Sequence, residues 1–300
     1  MAYRNIFIAN KALMRIRNNQ LMVNNGEDEY SFPVEDIKSI VIDHQSTTIS
    51  VGLLAALAEA GVCVITCNSK HLPVLQLLPV SPYCRQRKRL LLQVSQSKPK
   101  LKRIWQQIVV AKINNQAKCL ALNHLQQAQK LRGIVPSVQS GDTSNREGYA
   151  ASIYFKALFG ADFTRESENE INASLNYGYA IIRSFIAKAI VCEGLEPAVG
   201  IHHCNQLNQF NLADDLIEPF RPAVDHYVYI QYQEWGEQGF HLQKAQLLLL
   251  LNAKTKVGGQ DCSLSHAMEL LVQSLIASFE NEQITLKLPE LADTDFFSYD

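Results

Sequence analysis

The spacing of hydrophobic positions changes near residue 80. Before it, apolar residues come in short, partly alternating runs. NIFIAN, ALMRIR and QLMV have the pattern of half-buried strands, and NNGEDE (24–29) supplies turn chemistry for a hairpin. SIVIDH (39–44) and VCVITC (62–67) predict two further strands. Between them, TISVGLLAALAEAG carries apolar residues at helical period and ends on Gly61, a C-terminal stop signal. The stretch 68–83, NSKHLPVLQLLPVSPY, holds three prolines and predicts a closing strand followed by a linker.

Beyond it the period becomes helical. Leucine, isoleucine and valine recur every three or four residues from Arg85 to Arg132, interrupted by QSKPK at 96–100. The polar stretch PSVQSGDTSN (136–145) precedes a second helix starting near Arg146. A long, mostly apolar helix is expected from Glu170 to Glu193, stopping at Gly194, and GLEPAVG (194–200) follows as a connector. Residues 224–282 alternate helical stretches with glycine-rich turns at 236–239 and 258–259, and the acidic end ELADTDFFSYD is expected to be loosely ordered. There is no internal repeat. The fold class expected is therefore α+β. A small β-rich N-terminal domain with one helix (1–80) precedes a larger all-α C-terminal domain (81–300).

Composition narrows the class. At 47% hydrophobic and 19% charged, the chain is that of a soluble globular protein. Its longest leucine run, 247–251, is far too short for a membrane helix. The start, MAYRNIFIAN, has no export signal, and the seven scattered cysteines match neither a disulfide framework nor a zinc knuckle. Cys63 and Cys67 share one face of a predicted strand and read as core. A reduced, cytoplasmic protein that does not bind membranes is expected. Charge is informative through its placement. The net is −1, yet residues 60–141 carry 13 Lys and Arg and no acid, whereas residues 142–300 carry 10 Lys and Arg against 22 acids. An acid-free block of that length sets up a positive field suited to a polyanion, of which nucleic acid is the commonest.

Candidate chemistry concentrates in GIHHCNQLNQFNLADDLIEPFRP (200–222), with two histidines and three acids. Asn208 or Asn211 is placed to cap a helix through LADDLIEPF. On it Asp214 and Asp215 stand four and three residues before Glu218, so either can share its face. Pro219 should end or kink that helix. One imidazole with carboxylates suits Mg²⁺ or Mn²⁺ better than structural zinc. Equally, acids in a first helical turn can serve the helix dipole alone. A metal site needs a third group from elsewhere, and Glu147 is the only acid between Asp142 and Asp162. Its alternative role is a capping box with Ser144. The segment by itself leaves both readings open.

Taken together, REGYAASIYF, NASLNYGYAIIRSFIAKAIVCEGLEPAVGIHH and NQFNLADDLIEPFRPAVD resemble the CRISPR-associated spacer-acquisition integrase, the larger subunit of the CRISPR adaptation complex. The wording of the last stretch is most similar to members from type II systems, and the resemblance covers nearly the whole chain. It implies a metal site of Glu147, His203 and Glu218, with Mg²⁺ or Mn²⁺ as cofactor. Asp215, His202 and Tyr177 are implied as accessory groups close to the metal, His202 being the rival of His203 for the ligand role. The implied activity is that of a metal-dependent DNA endonuclease and integrase. A 3′-hydroxyl of a short duplex, the spacer precursor, attacks a phosphodiester at the edge of a CRISPR repeat. A stand-alone structure-selective nuclease and a non-catalytic DNA-binding scaffold are the competing readings. Double-stranded DNA would track Arg85, Arg87, Lys88, Arg89, Lys98, Lys100, Lys102 and Arg103, the densest part of the basic block. The resemblance further implies a homodimer paired through the β-rich domain, and two such dimers assembled on a small partner protein, Cas-two.

Overall fold

A computed structural model describes residues 4–69, 71, 73–77, 86–235 and 240–296. Arg85 and the expected turn at 236–239 lie outside them. The chain divides into two compact units, Met1–Pro82 and Tyr83–Ser298.

The first unit contains strands β1 (Arg4–Ile8), β2 (Leu13–Arg17), β3 (Gln20–Asn24), β4 (Glu29–Pro33), β5 (Ile37–Ile42), β6 (Thr48–Ile49), β7 (Cys63–Cys67) and β8 (Pro73–Leu77), with helix α1 (Val51–Glu59) between β6 and β7. They form two four-stranded sheets, ordered β4-β3-β2-β6 and β1-β5-β7-β8. Asn18 and Asn19, both at positive φ, make the tight turn that joins β2 to β3 in register Arg17↔Gln20. In the second sheet β1, β5 and β7 run parallel, so β5 to β7 needs a crossover, and α1 provides it. The Ser50 hydroxyl caps the start of α1, and Gly61, at φ 68°, turns the chain after its end. Met14, Leu21, Ile40, Leu53, Leu57 and Val64 form the core, and Cys63 and Cys67 are buried on β7 as expected.

The second unit is mostly helical. It comprises α2 (Gln86–Val94), α3 (Lys98–Leu122), α4 (Ala128–Ile134), α5 (Arg146–Phe159), α6 (Glu170–Cys192), α7 (Asn211–Leu216), α8 (Arg221–Trp235), α9 (Phe240–Leu249) and α10 (Leu264–Glu280). Pro99, in the polar break, occupies the first turn of α3, where its missing N–H costs nothing. Helix α3 has 25 residues, about 37 Å at the usual helical rise. It is the axis of the unit, packed by α4, α5 and α8. Gly178 lets α6 approach α8 closely: a Cβ there would stand 2.5 Å from Val224 Cγ1.

The all-α expectation for this unit is corrected by a three-stranded sheet. Strands β9 (Ala253–Val257), β10 (Gln260–Ser263) and β11 (Glu290–Phe296) pair in the order β10-β9-β11. Gly258 and Gly259 form the hairpin turn, and Ala253, Thr255 and Val257 face inward in strict alternation. The acidic end, expected to be loose, contributes β11 as far as Phe296. Among the described residues no helix is long and apolar enough to cross a membrane.

Candidate metal centre and nucleic-acid surface

Three elements of the helical unit converge on Lys112. Its ammonium, on α3, forms an ion pair with Glu147 of α5 and another with Glu218. Glu147 is the second residue of α5. It is not held by a capping box: Asn145, at φ 48°, caps the helix and accepts from the Gly148 N–H at 3.1 Å. Ser144 instead accepts from the Arg146 side chain. Buried Asp142 takes the Arg146 and Glu147 backbone N–H groups at 2.8 and 3.0 Å. The Glu147 carboxylate is thus released from helix-end duties and points at Lys112.

The segment 211–220 breaks into two pieces, as Pro219 demands. Helix α7 stops at Leu216, and Glu218–Phe220 form one 3₁₀ turn before α8. Neither Asn208 nor Asn211 caps α7; the Asn211 amide donates to the Ala198 and Asn205 carbonyls and ties the preceding loop down. The break sends the three acids to three different partners. Asp214 pairs with Arg183 at 2.7 Å. Asp215 turns inward to the histidine loop. Glu218 meets Lys112, and Arg221 Nε donates to its other oxygen at 2.8 Å.

Asp215 is fully buried and is the anchor of the loop. It accepts the backbone N–H of Ile201, His202 and His203 at 2.5, 3.0 and 3.1 Å, and pairs with His203 Nδ1 at 2.7 Å. Gly200 makes room for this. A Cβ there would stand 2.2 Å from the His203 carbonyl oxygen and 2.8 Å from Asp215 Oδ2. Trp105, on the same side of α3 as Lys112, stacks on the His202 ring (centroids 4.3 Å apart, planes 2° apart) and meets His203 edge-on at 5.9 Å. His202 is therefore a packing partner in this geometry, and His203 is the imidazole fixed by a carboxylate. Tyr177 is buried on α6, with Lys244 Nζ 5.8 Å from its ring centroid.

The electrostatics follow from burial and pairing. Burial opposes charge on Lys112, but Glu218 and Glu147 outweigh it and hold the ammonium above the usual lysine pKa. Burial likewise opposes ionisation of Glu218, and Lys112 and Arg221 overcome it, so this carboxyl lies below the usual range. The hydrogen bond to Asp215 raises the His203 pKa; partial loss of solvent works against it, and the charges of Asp215, Glu218 and Asp214 add to the rise. Behind the site, Arg221 lies 4.5 Å over the Tyr179 ring, and the Tyr179 hydroxyl donates to buried Asp225. Burial pushes Asp225 up to about 6, with the Tyr179 hydrogen bond partly offsetting it.

Two carboxylates gathered on one cationic nitrogen make a cation-binding point. His203, with Nδ1 committed to Asp215, keeps Nε2 for a ligand, an arrangement common among metal-binding histidines. The donor types fit a hard divalent ion. Among the described residues, however, no three His, Cys, Asp or Glu side chains stand close enough together to hold one as they are. Spacing alone does not pick out Lys112, Arg221, Trp105 or Asp142. Lys112 does carry a signal: it falls on the apolar stripe Ile104–Ile108–Lys112 and Trp105–Val109–Lys112, where a lysine needs anionic partners.

The basic surface is only partly free. Arg87, Lys88, Lys98, Lys102 and Arg103 are exposed. Arg89 pairs with Glu280 at 2.6 Å, and Lys100 donates to the Phe279 and Asn281 carbonyls at 3.2 and 2.7 Å, closing the end of α10. Arg89 and Lys100 are thus engaged within the helical unit, unlike the five exposed cations. A groove of about 1180 Å³ along α3 is lined by Lys118, Arg132, Lys256 and Lys287 together with Glu290 and Asp293, residues too far apart in the chain for spacing to group them.

Comparison with known proteins bears on the family and the fold. The family described as "CRISPR associated protein Cas1" matches residues 6–258. A CRISPR-associated endonuclease Cas1 from Neisseria meningitidis serogroup C (strain 8013) is 39% identical over 306 residues, covering 100% of both chains. Among solved structures, a casposase bound to integration product superposes with a TM-score of 0.82 at 20% identity, over 99% of this chain and 97% of that one. A Cas6-RT-Cas1–Cas2 complex matches at TM-score 0.73 and 18% identity, over 95% of this chain and 36% of that chain.

Proposed function

The chain belongs to the Cas1 family of CRISPR-associated proteins, and from that premise we propose that it is a divalent-metal-dependent DNA endonuclease and integrase of CRISPR adaptation. The observation that carries the reading is the gathering of Glu147 and Glu218, 71 residues apart, on a single buried cation beside a carboxylate-fixed histidine. Glu147, Glu218 and His203 Nε2 would hold Mg²⁺ or Mn²⁺. Such an ion, when bound, neutralises charge on the scissile phosphate and on the attacking and leaving oxygens.

The chain's own groups do the rest. Asp215 fixes the His203 tautomer and the backbone of residues 201–203, and Trp105 holds that loop from the other side. Arg221 keeps Glu218 from rotating away. The exposed cations of α2 and the start of α3 attract duplex DNA through its phosphates. A 3′-hydroxyl of a short duplex as nucleophile gives joining to a repeat edge; water in its place gives cleavage. The protein works in the cytoplasm, as a homodimer paired through the β-rich unit, with two dimers on a small partner of the Cas2 kind. Its likeness in fold to the Cas6-RT-Cas1–Cas2 complex supports that choice of partner.

The test mixes protein, partner, a duplex with free 3′ ends, Mg²⁺ or Mn²⁺ and a supercoiled repeat-bearing plasmid. Covalent joining is the expected result. Cutting without joining would leave a stand-alone nuclease, and binding alone a scaffold. Glu147→Gln and His203→Ala should remove joining and cutting while keeping duplex affinity within about threefold, since neither residue belongs to the phosphate-tracking surface.

A further inference from the structure

Lys112 occupies the cation position of the site. It has 9% side-chain exposure and lies on the buried face of α3, with Glu147 and Glu218 on either side of its ammonium. The helix around it is fixed: Trp105 is stacked on the histidine loop, and the Asn115 amide donates to the Pro219 and Pro289 carbonyls at 2.8 and 2.9 Å. The backbone therefore cannot withdraw the lysine, but its flexible four-carbon stem can.

The charge count sets the consequence. Glu147 and Glu218 contribute two negative charges, and Lys112 and Arg221 two positive ones, all within one contact network. That network is neutral before any ion arrives. A dication added with Lys112 in place would share its oxygens with an ammonium and leave an uncompensated double charge in a mostly buried site. Loading therefore needs Lys112 to leave and an anion to receive it, and a DNA phosphate is the anion the proposed substrate supplies.

We infer that Lys112 is a displaceable internal counter-ion: it closes the Glu147–Glu218 pair in the DNA-free protein, and moves to a phosphodiester oxygen when DNA binds, so that metal loading is coupled to DNA. The inference rests on the reading of Glu147 and Glu218 as metal ligands. It makes Lys112 a positioning residue for the metal-free site and a phosphate contact for the loaded one.

The experiment measures Mn²⁺ binding by titration calorimetry, backed by the free-Mn²⁺ electron paramagnetic resonance signal. Metal is titrated alone and with a duplex whose 3′ ends are blocked. Wild-type protein should bind Mn²⁺ weakly alone and at least about tenfold more tightly with the duplex, as for any linked pair of ligands. Lys112→Met should bind Mn²⁺ alone at least about tenfold more tightly than wild type and gain little more from DNA, because the competing cation is gone. Lys112→Arg should restore weak binding without DNA. Equal or weaker Mn²⁺ binding by a folded Lys112→Met overturns the inference, and so does a wild-type affinity that the duplex does not change. The second result decides the matter even if the methionine variant does not fold. Glu147→Gln separates the two layers. If it leaves Mn²⁺ binding untouched, the metal-site reading fails; if it abolishes binding while Lys112→Met binds no tighter, only the counter-ion role fails.

Discussion

Removing the Asp215 carboxylate should collapse the histidine loop before it affects anything else. Asp215→Ala takes one buried acceptor from four donors at once: the N–H groups of residues 201–203 and His203 Nδ1. Each hydrogen bond to a charged group is worth roughly 1.5–3 kcal/mol net. The full sum is not expected, because His202 and His203 are exposed and water can reach part of the vacated space. A loss of about 3–5 kcal/mol is expected, the range for stripping one member from a buried charged network. In a folding unit of this size, with about 2–4 °C per kcal/mol, the melting temperature should fall by roughly 6–20 °C. The assay is a thermal melt followed by circular dichroism, with metal chelated so that only the protein's own bonds count. Asp215→Asn keeps the shape and one acceptor oxygen, so its melt should fall between wild type and alanine. It should still lose about 10- to 100-fold in DNA cleavage, because the His203 tautomer is no longer imposed. An alanine variant melting within about 2 °C of wild type would refute the view that this carboxylate organises the loop.

Trp105→Ala should cost about 3–5 kcal/mol in urea unfolding, since the indole is almost wholly buried, and Trp105→Phe distinctly less, since a ring remains to stack on His202. Gly200→Ala should be as damaging as a core truncation despite adding one methyl, because its Cβ meets backbone at 2.2 Å; an unchanged melting point would count against that packing. Asp225 is an acid whose folded pKa, about 6, is raised above its unfolded value, so it costs nothing below pH 4 and progressively more up to pH 6. Asp225→Asn should therefore gain about 3 kcal/mol relative to wild type between pH 4 and pH 7, and an equal difference at both pH values would contradict it. Reversing the charge of Arg87, Lys88 and Arg103 together should weaken duplex binding and flatten its salt dependence, measured by fluorescence anisotropy. Arg89→Ala and Lys100→Ala should chiefly lower the melting temperature instead.

Much of this is legible in the chain because it rests on local rules. The two periods, the glycine stops at 61 and 194 and the proline break at 219 all produce the boundaries they announce. The acids are legible as a set, but their division of labour is not. Asp214, Asp215 and Glu218 look interchangeable on a helical wheel. Pro219 sets Glu218 on a turn of its own, and which acid meets which partner is decided by Arg183, the histidine loop, Lys112 and Arg221, none of them on the helix that carries Asp214 and Asp215. Lys112 falls within the basic block by position, although its place on an apolar stripe sets it apart from lysines that face water. Ser144 loses the cap to Asn145 because Asp142, two residues farther back, already holds the Glu147 N–H that a Ser144 cap would use. The hairpin at 253–263 has its own strand alternation and glycine pair. Its short length, between two helical stretches, conceals it.

Helix α3 reaches the histidine loop with Trp105, the two carboxylates with Lys112, and the proline carbonyls with Asn115. Seven residues separate the first two and three the last two, which places all three on one side of a rigid rod. Such a rod behaves like a ruler. Substitutions along its outer face leave the graduations where they were, but deleting one residue between 105 and 112 rotates everything beyond by about 100° and carries Lys112 off the site. In α3 the constrained quantity is length. A loop could absorb such a change; this helix, on which the site's alignment depends, has no slack to do so.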